Sequence, residues 1–304
     1  MRRYSFYQLD VFTDTPLRGN PLAVFPEPEG LDAATMQALA REMNLSETTF
    51  VFPSDVATRK VRFFTPSAEI PLAGHPTIGT WWLLADLGTV SGLPRDGTVQ
   101  LSQETGRGVL PVEVSLSSGQ PTAVTMTQAL PEFGATIRDL DGLGAALGAD
   151  RAVIADHPAP EVVSTALPQL MVPIRSREAL TRLPSGGAGA ALTELLRRHG
   201  TDCAMLYALG GGDVTAYCRM FAPGLGVPED PATGSAAGAL GAHLVRHGVI
   251  RPDGGAVPML FDQGREIGRA SRIHVTVALD ARGAITSVRV GGAAVRVIAG
   301  DVTL

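Results

Sequence analysis

Lysine is almost missing from this chain: Lys60 is the only one in 304 residues, and it leads into the run Val61-Arg62-Phe63-Phe64. A pyridoxal Schiff base would have to use that side chain. Its place at a turn before a strand marks an ordinary solvated lysine, which argues against pyridoxal chemistry. Cysteine is nearly as scarce. Cys203 and Cys218 each lie in an apolar, strand-like run, without the paired spacing of a metal site or disulfide framework, and read as buried structural thiols. No uninterrupted apolar run is long enough to cross a bilayer, and residues 1–12 lack the apolar centre of a signal peptide. The expected location is cytoplasmic, with no membrane partner. Basic residues nowhere cluster with aromatics and the net charge is −5, so a nucleic-acid footprint is not expected either.

Metal and nucleotide signals are equally thin. The six histidines are scattered, and only His243 and His247 stand one helical turn apart. They bring no helical glutamate motif and no nearby third ligand, so the expectation is a helix end and no metal. Gly142-Leu-Gly-Ala and Gly210-Gly-Gly lack the spacing and following helix of a dinucleotide or P-loop fingerprint. The chemistry is therefore expected to need no cofactor, with a small soluble molecule as partner.

What the sequence does contain is apolar and glycine-rich. With 45% hydrophobic residues the chain can bury a substantial core and fits two domains better than one. Glycine and proline make up about a fifth of it, below the share of a low-complexity chain, so it is globular. The stretch Pro71–Leu87 opens on glycine and proline and then carries no charge until Asp86, which predicts a helix buried on every side. Short strand-like runs surround it, among them residues 4–12, 22–25, 61–64, 98–101, 108–114 and 123–126, and they predict a barrel or strongly curved sheet. A helix from Leu31, capped by Asp32, and one in the middle of Gly134–Asp150 complete this part.

The second half repeats the first. A strand at 169–174, a helix at 189–198, strands at 203–209 and 217–221, a loop and an uncharged helix follow in the same order. Arg62-Phe-Phe-Thr-Pro66 faces Arg219-Met-Phe-Ala-Pro223, Gly74 faces Gly234, and Gly88 and Gly248 end the two apolar helices. The period of about 160 residues is a duplicated domain, since the units of a solenoid are much shorter. If the halves face each other, two helix N-termini with unpaired N–H groups enter one cleft, where they can hold a carboxylate or a developing oxyanion.

At these helix mouths stand His75 in one half and Asp230 and Ser235 in the other, while Glu47 enters from the loop before a strand. Singly, each has an ordinary structural explanation: an exposed turn carboxylate, a backbone-bonded histidine, a turn cap, a helix cap. Together, at equivalent openings of duplicated domains, they make an acid–base group.

The segments Gly19-Asn-Pro-Leu-Ala-Val24, Asn44-Leu-Ser-Glu-Thr-Thr-Phe50, Ala73-Gly-His-Pro-Thr77 and Asp230-Pro-Ala-Thr-Gly-Ser-Ala236 resemble those of the phenazine biosynthesis PhzF family, in order and over nearly the whole chain. The resemblance implies the diaminopimelate epimerase-like fold: α+β, with two pseudo-symmetric domains, each a barrel-like, mostly antiparallel sheet rolled around a central helix. The expected domains are 1–130 and 131–304, with the last strand a candidate to return to the first. The resemblance also implies a homodimer and a cofactor-independent isomerase that shifts a proton, and with it a double bond, on a small unsaturated or cyclic carboxylic acid. Glu47 then matches the proton carrier, His75, Asp230 and Ser235 the accompanying catalytic residues, and Asn20, Gly74 and Gly234 contacts to substrate.

Two other readings compete. Epimerases and racemases of this fold use two opposed cysteines, but the positions here are Ala73 and Pro231, so an epimerase would have to work with Glu47 and His75. A duplicated carboxylate-binding protein without catalysis would use the same helix mouths.

Overall fold

An apolar helix with no polar face needs cover on all sides, and the strands of this chain supply it twice. The computed structural model describes residues 1–251 and 254–304. Its contacts divide the chain into two units, Met1–Met126 with Gly291–Leu304, and Thr127–Val290.

In the first unit β1 (Arg3–Val11) pairs antiparallel with β2 (Asn20–Phe25). Helix α1 (Ala33–Met43) is started by Asp32, which accepts the Thr35 N–H, and is stopped by Asn44 in the left-handed conformation. It carries the chain over to β3 (Thr48–Phe52), parallel to β2, because parallel neighbours need a crossover. Met36, Leu39 and Ala40 of α1 pack on Phe25, Phe50 and Phe64. Next come β4 (Arg59–Phe64), antiparallel to β3, and the short return strand β5 (Glu69–Ile70). Helix α2 (Gly74–Asp86) follows, then β6 (Gly97–Thr105) parallel to β4, and β7 (Gly108–Ser117) and β8 (Gln120–Thr127), each antiparallel to the one before.

Helix α2 is the axis of this unit. From His75 to Ala85 every residue except Trp82 is buried, and β1, β2, β3 and β7 pack against it. Gly79 permits this closeness: a Cβ there would lie 2.6 Å from Val11 and 2.7 Å from Leu22. Trp81, wholly buried, donates its indole N–H to Gln103 Oε1 at 3.0 Å, which meets the need of a buried N–H for a partner.

The second unit opens with β9 (Glu132–Thr136) and α3 (Leu140–Ala146). The helix expected in the middle of Gly134–Asp150 is α3, started by Asp139, which accepts the Gly142 N–H; what the sequence did not signal is that residues 134–136 before it finish a strand. Then come β10 (Glu161–Ser164), antiparallel to β9, and β11 (Pro168–Pro173), antiparallel to β10. Helices α4 (Arg177–Arg182) and α5 (Ala190–Arg198) cross over to β12 (Ala204–Leu209), parallel to β11. Strand β13 (Ala216–Ala222) is followed by β14 (Val227–Asp230), where the sequence suggested only a loop; it folds back on β13. Helix α6 (Gly234–Arg246), β15 (Ala256–Gln263) parallel to β13, β16 (Ser271–Leu279) and β17 (Ile285–Gly292) complete the order. Helix α6 is packed by β10, β11 and β16, and from Ala236 to Leu244 it is buried.

The last strand, β18 (Ala294–Thr303), belongs to the first unit, where it pairs antiparallel with β1 from Arg3–Thr303 to Val11–Ala294. The connection pattern of β1 to β7 recurs in β10 to β16, and the repeat extends to single side chains. Arg62 of β4 pairs with Glu69 of β5 at 2.7 Å, and Arg219 of β13 with Glu229 of β14 at 2.6 Å. The first pair is partly exposed. The second is buried, and Arg219 also donates to the Leu180 and Leu183 carbonyls, so its charge is not left unpartnered.

Candidate active site

In the first unit the predicted residues gather at the start of α2. Ala73 precedes it in an extended conformation and no side chain caps it. Pro76 has no N–H to offer, so the Gly74 and His75 amides are the donors that face out of this end. The buried hydroxyls of Thr49 and Thr80 bond at 2.8 Å and lock β3 against α2. That lock fixes Glu47, two residues before Thr49, beside the helix mouth. Its Oε2 lies 3.6 Å from His75 Nε2, with the glutamate side chain 18% exposed and the histidine 8%.

The His75 ring bonds to the Pro21 carbonyl, and its Nε2 has no hydrogen-bond partner. The nitrogen facing Pro21 is therefore Nδ1, which donates its proton there. Burial pushes the ring from the usual histidine range down to about 3, with the Pro21 bond opposing. A neutral ring with Nδ1–H leaves a lone pair on Nε2, aimed at Glu47. Asn20, buried at the first position of β2, adjoins the carbonyl that orients this ring. Gly19 before it has φ +65, and a Cβ there would meet the Val11 carbonyl oxygen. Asp10, which the sequence reading passed over, accepts the Leu17 N–H at 2.6 Å and holds the Thr13–Arg18 loop.

In the second unit Asp230, Gly234 and Ser235 gather at the start of α6. Asp230 ends β14 and accepts a short hydrogen bond from the Thr233 hydroxyl. The loop is clamped by Gln263 at the end of β15: its amide donates to the Asp230 carbonyl at 2.8 Å and to Thr233 Oγ1 at 3.1 Å, and its oxygen accepts the Thr233 N–H at 3.2 Å. Gln128 donates to the Gly234 carbonyl at 3.0 Å and is itself held by Thr165, whose hydroxyl also reaches the Ser235 carbonyl. Gln128, Thr165 and Gln263 carried no sequence signal, since glutamine and threonine in strands and at their ends are common and only their tertiary partners distinguish them.

Cys203 and Cys218 are both buried. Burial, then the charges of Asp202 and Asp230, push the Cys203 thiol up to about 12, and burial raises Cys218 as well. A thiol held protonated in this way serves as neither thiolate base nor nucleophile.

These features define an α+β protein of duplicated units, each a sheet wrapped on one central helix. The chain matches the phenazine biosynthesis-like protein family, PhzC-PhzF, over residues 9–300. It is 38% identical over 266 residues, 86% of this chain and 86% of the other, to the trans-2,3-dihydro-3-hydroxyanthranilate isomerase of Pseudomonas chlororaphis. An uncharacterized isomerase of Clostridium acetobutylicum is 33% identical over 311 residues, covering 100% of this chain and 99% of the other. The fold is similar to that of a PhzF-family protein from Bacillus anthracis, with a TM-score of 0.90, 26% identity and full coverage of both chains. The chain belongs to the phenazine biosynthesis-like, or PhzF, family, and is an isomerase of that family with the diaminopimelate epimerase-like fold.

Proposed function

We propose that this isomerase moves a proton between two carbons of a small unsaturated or cyclic carboxylic acid without a cofactor, and that Glu47 carries the proton. The observation that supports this most is the Glu47 carboxylate at 3.6 Å from a neutral, buried His75 ring, beside the uncapped start of α2.

The chemistry follows from what each group offers. A C–H next to a conjugated system is a weak acid, so its removal needs both a base shielded from water and donors for the delocalised anion. The Gly74 and His75 amides are suited to receive a substrate carboxylate or the charge that spreads onto it. The Nε2 lone pair of His75 accepts a hydrogen bond from a protonated Glu47 and faces an ionised Glu47 unfavourably. It thereby favours the carboxylic acid once a proton has been taken, and points that acid's O–H until the proton is returned to another carbon. In this reading Asn20 orients substrate beside Pro21. Trans-2,3-dihydro-3-hydroxyanthranilate, for which the Pseudomonas relative is named, is the first substrate to assay.

The test is Glu47→Gln, which keeps the shape and removes the proton carrier. Turnover of an accepted substrate is expected to drop by about three orders of magnitude or more, with the circular dichroism spectrum and unfolding midpoint close to wild type. A folded variant with near-normal turnover would remove Glu47 from the mechanism.

A further inference from the structure

At the far end of α6 from Gly234, three side chains of metal-ligand type converge. His243 and His247 are one turn apart, and Glu161 of β10 lies between them, its Oε2 3.2 Å from His243 Nδ1 and 2.8 Å from His247 Nε2. The third ligand absent from the local sequence comes from 82 positions upstream of His243. The three donor atoms all lie within 4.8 Å of one another. His243 is fully buried and Glu161 nearly so, while His247 is 26% exposed and opens the cluster to water.

We infer that Glu161 Oε2, His243 Nδ1 and His247 Nε2 form a site for a divalent transition-metal ion of the zinc type, completed by water on the His247 side. Two imidazoles and one carboxylate with an open fourth position are a donor set that zinc favours. Tetrahedral zinc with bonds near 2.0–2.1 Å sets its ligand atoms about 3.3 Å apart, so the two histidine–glutamate distances, 3.2 and 2.8 Å, have to open by no more than about half an ångström.

A ring that ligates a metal does so through a lone pair, so its proton sits on its other nitrogen. For His243 that nitrogen is Nε2, which has no hydrogen-bond partner, on a ring packed edge-on to Tyr207 at 6.1 Å. The Tyr207 hydroxyl is likewise without a partner. The nine helical steps from Gly234 to His243 span about 13 Å, so the ion would tie α6 to β10 away from the helix mouth and act on stability.

The experiment uses full-length protein without a histidine tag, stripped with EDTA and titrated with zinc sulfate by calorimetry, with thermal unfolding in parallel. One zinc per chain and a higher melting temperature are expected. The affinity should fall about tenfold or more in His247→Gln and in Glu161→Gln. His247 is partly exposed at the helix end, and unfolding of the metal-free His247→Gln protein establishes that it is folded. No stoichiometric binding by wild type, or unchanged zinc affinity in folded His247→Gln, overturns the inference, whether or not the Glu161 variant folds.

Discussion

Glu47 and His75 come from a turn and a helix start 28 positions apart, and what joins them is one buried threonine pair and one backbone carbonyl. The histidine has a cost that can be measured. Its folded value of about 3 lies below the ordinary 6.5, so between these the unfolded chain takes up a proton that the folded chain refuses. The folded state therefore has its full stability above pH 6.5 and loses it as pH falls towards 3, with a slope of up to about 1.4 kcal/mol per pH unit for one proton. His243, lowered to about 4, adds in the same direction. Replacing His75 by Gln should flatten the stability profile between pH 6 and 4 by roughly one proton. Urea unfolding across that range reads this slope directly, and an unchanged slope would place the buried proton deficit elsewhere.

At the scale of elements, the central helices show why glycine enters a buried helix despite its poor propensity. Alanine at position 79 would gain about 1 kcal/mol of helix propensity. Its Cβ would nevertheless stand 2.6 Å from Val11 and 2.7 Å from Leu22, on strands β1 and β2 that cannot both retreat without disturbing their ladder. Gly79→Ala is thus expected to destabilise by about 1–3 kcal/mol net of propensity, seen as a lower denaturant midpoint with unchanged slope. Gly241 plays the same part in α6, where a Cβ would lie 2.8 Å from Val275. The helix mouths depend on these contacts too, because a helix displaced from its strands carries its first amides with it.

For the molecule as a whole, the unit that begins the chain is finished by its end. Strand β18 covers β1 along nine residues, and among the described residues of that unit the other strand paired with β1 is β2. A chain ending at Val290 should leave β1 with an open edge and Met1–Met126 without a closed core. Limited proteolysis is expected to cut within residues 1–126 of the shortened protein under conditions that spare them in the full chain. Resistance equal to wild type would show that β18 is dispensable.

Local information was enough for much of this. The apolar stretch before Asp86, the glycines that open and close the two central helices, and the Arg-x-Phe-x-Pro match all follow from neighbouring residues. They led to the duplicated, helix-centred α+β fold and to the family. Glu47, His75, Asp230 and Ser235 could be named as candidates from their motifs. The hidden strand at 132–136, β14 in place of a loop, the Gln263 clamp and Glu161 between two histidines could not. Each depends on pairing between segments far apart in sequence, where burial and register, not the preference of a residue for its own backbone, decide which atoms meet. The sequence by itself determined which helices must be buried and where they start; only the tertiary structure decided that an imidazole lone pair, rather than an N–H, faces the Glu47 carboxylate.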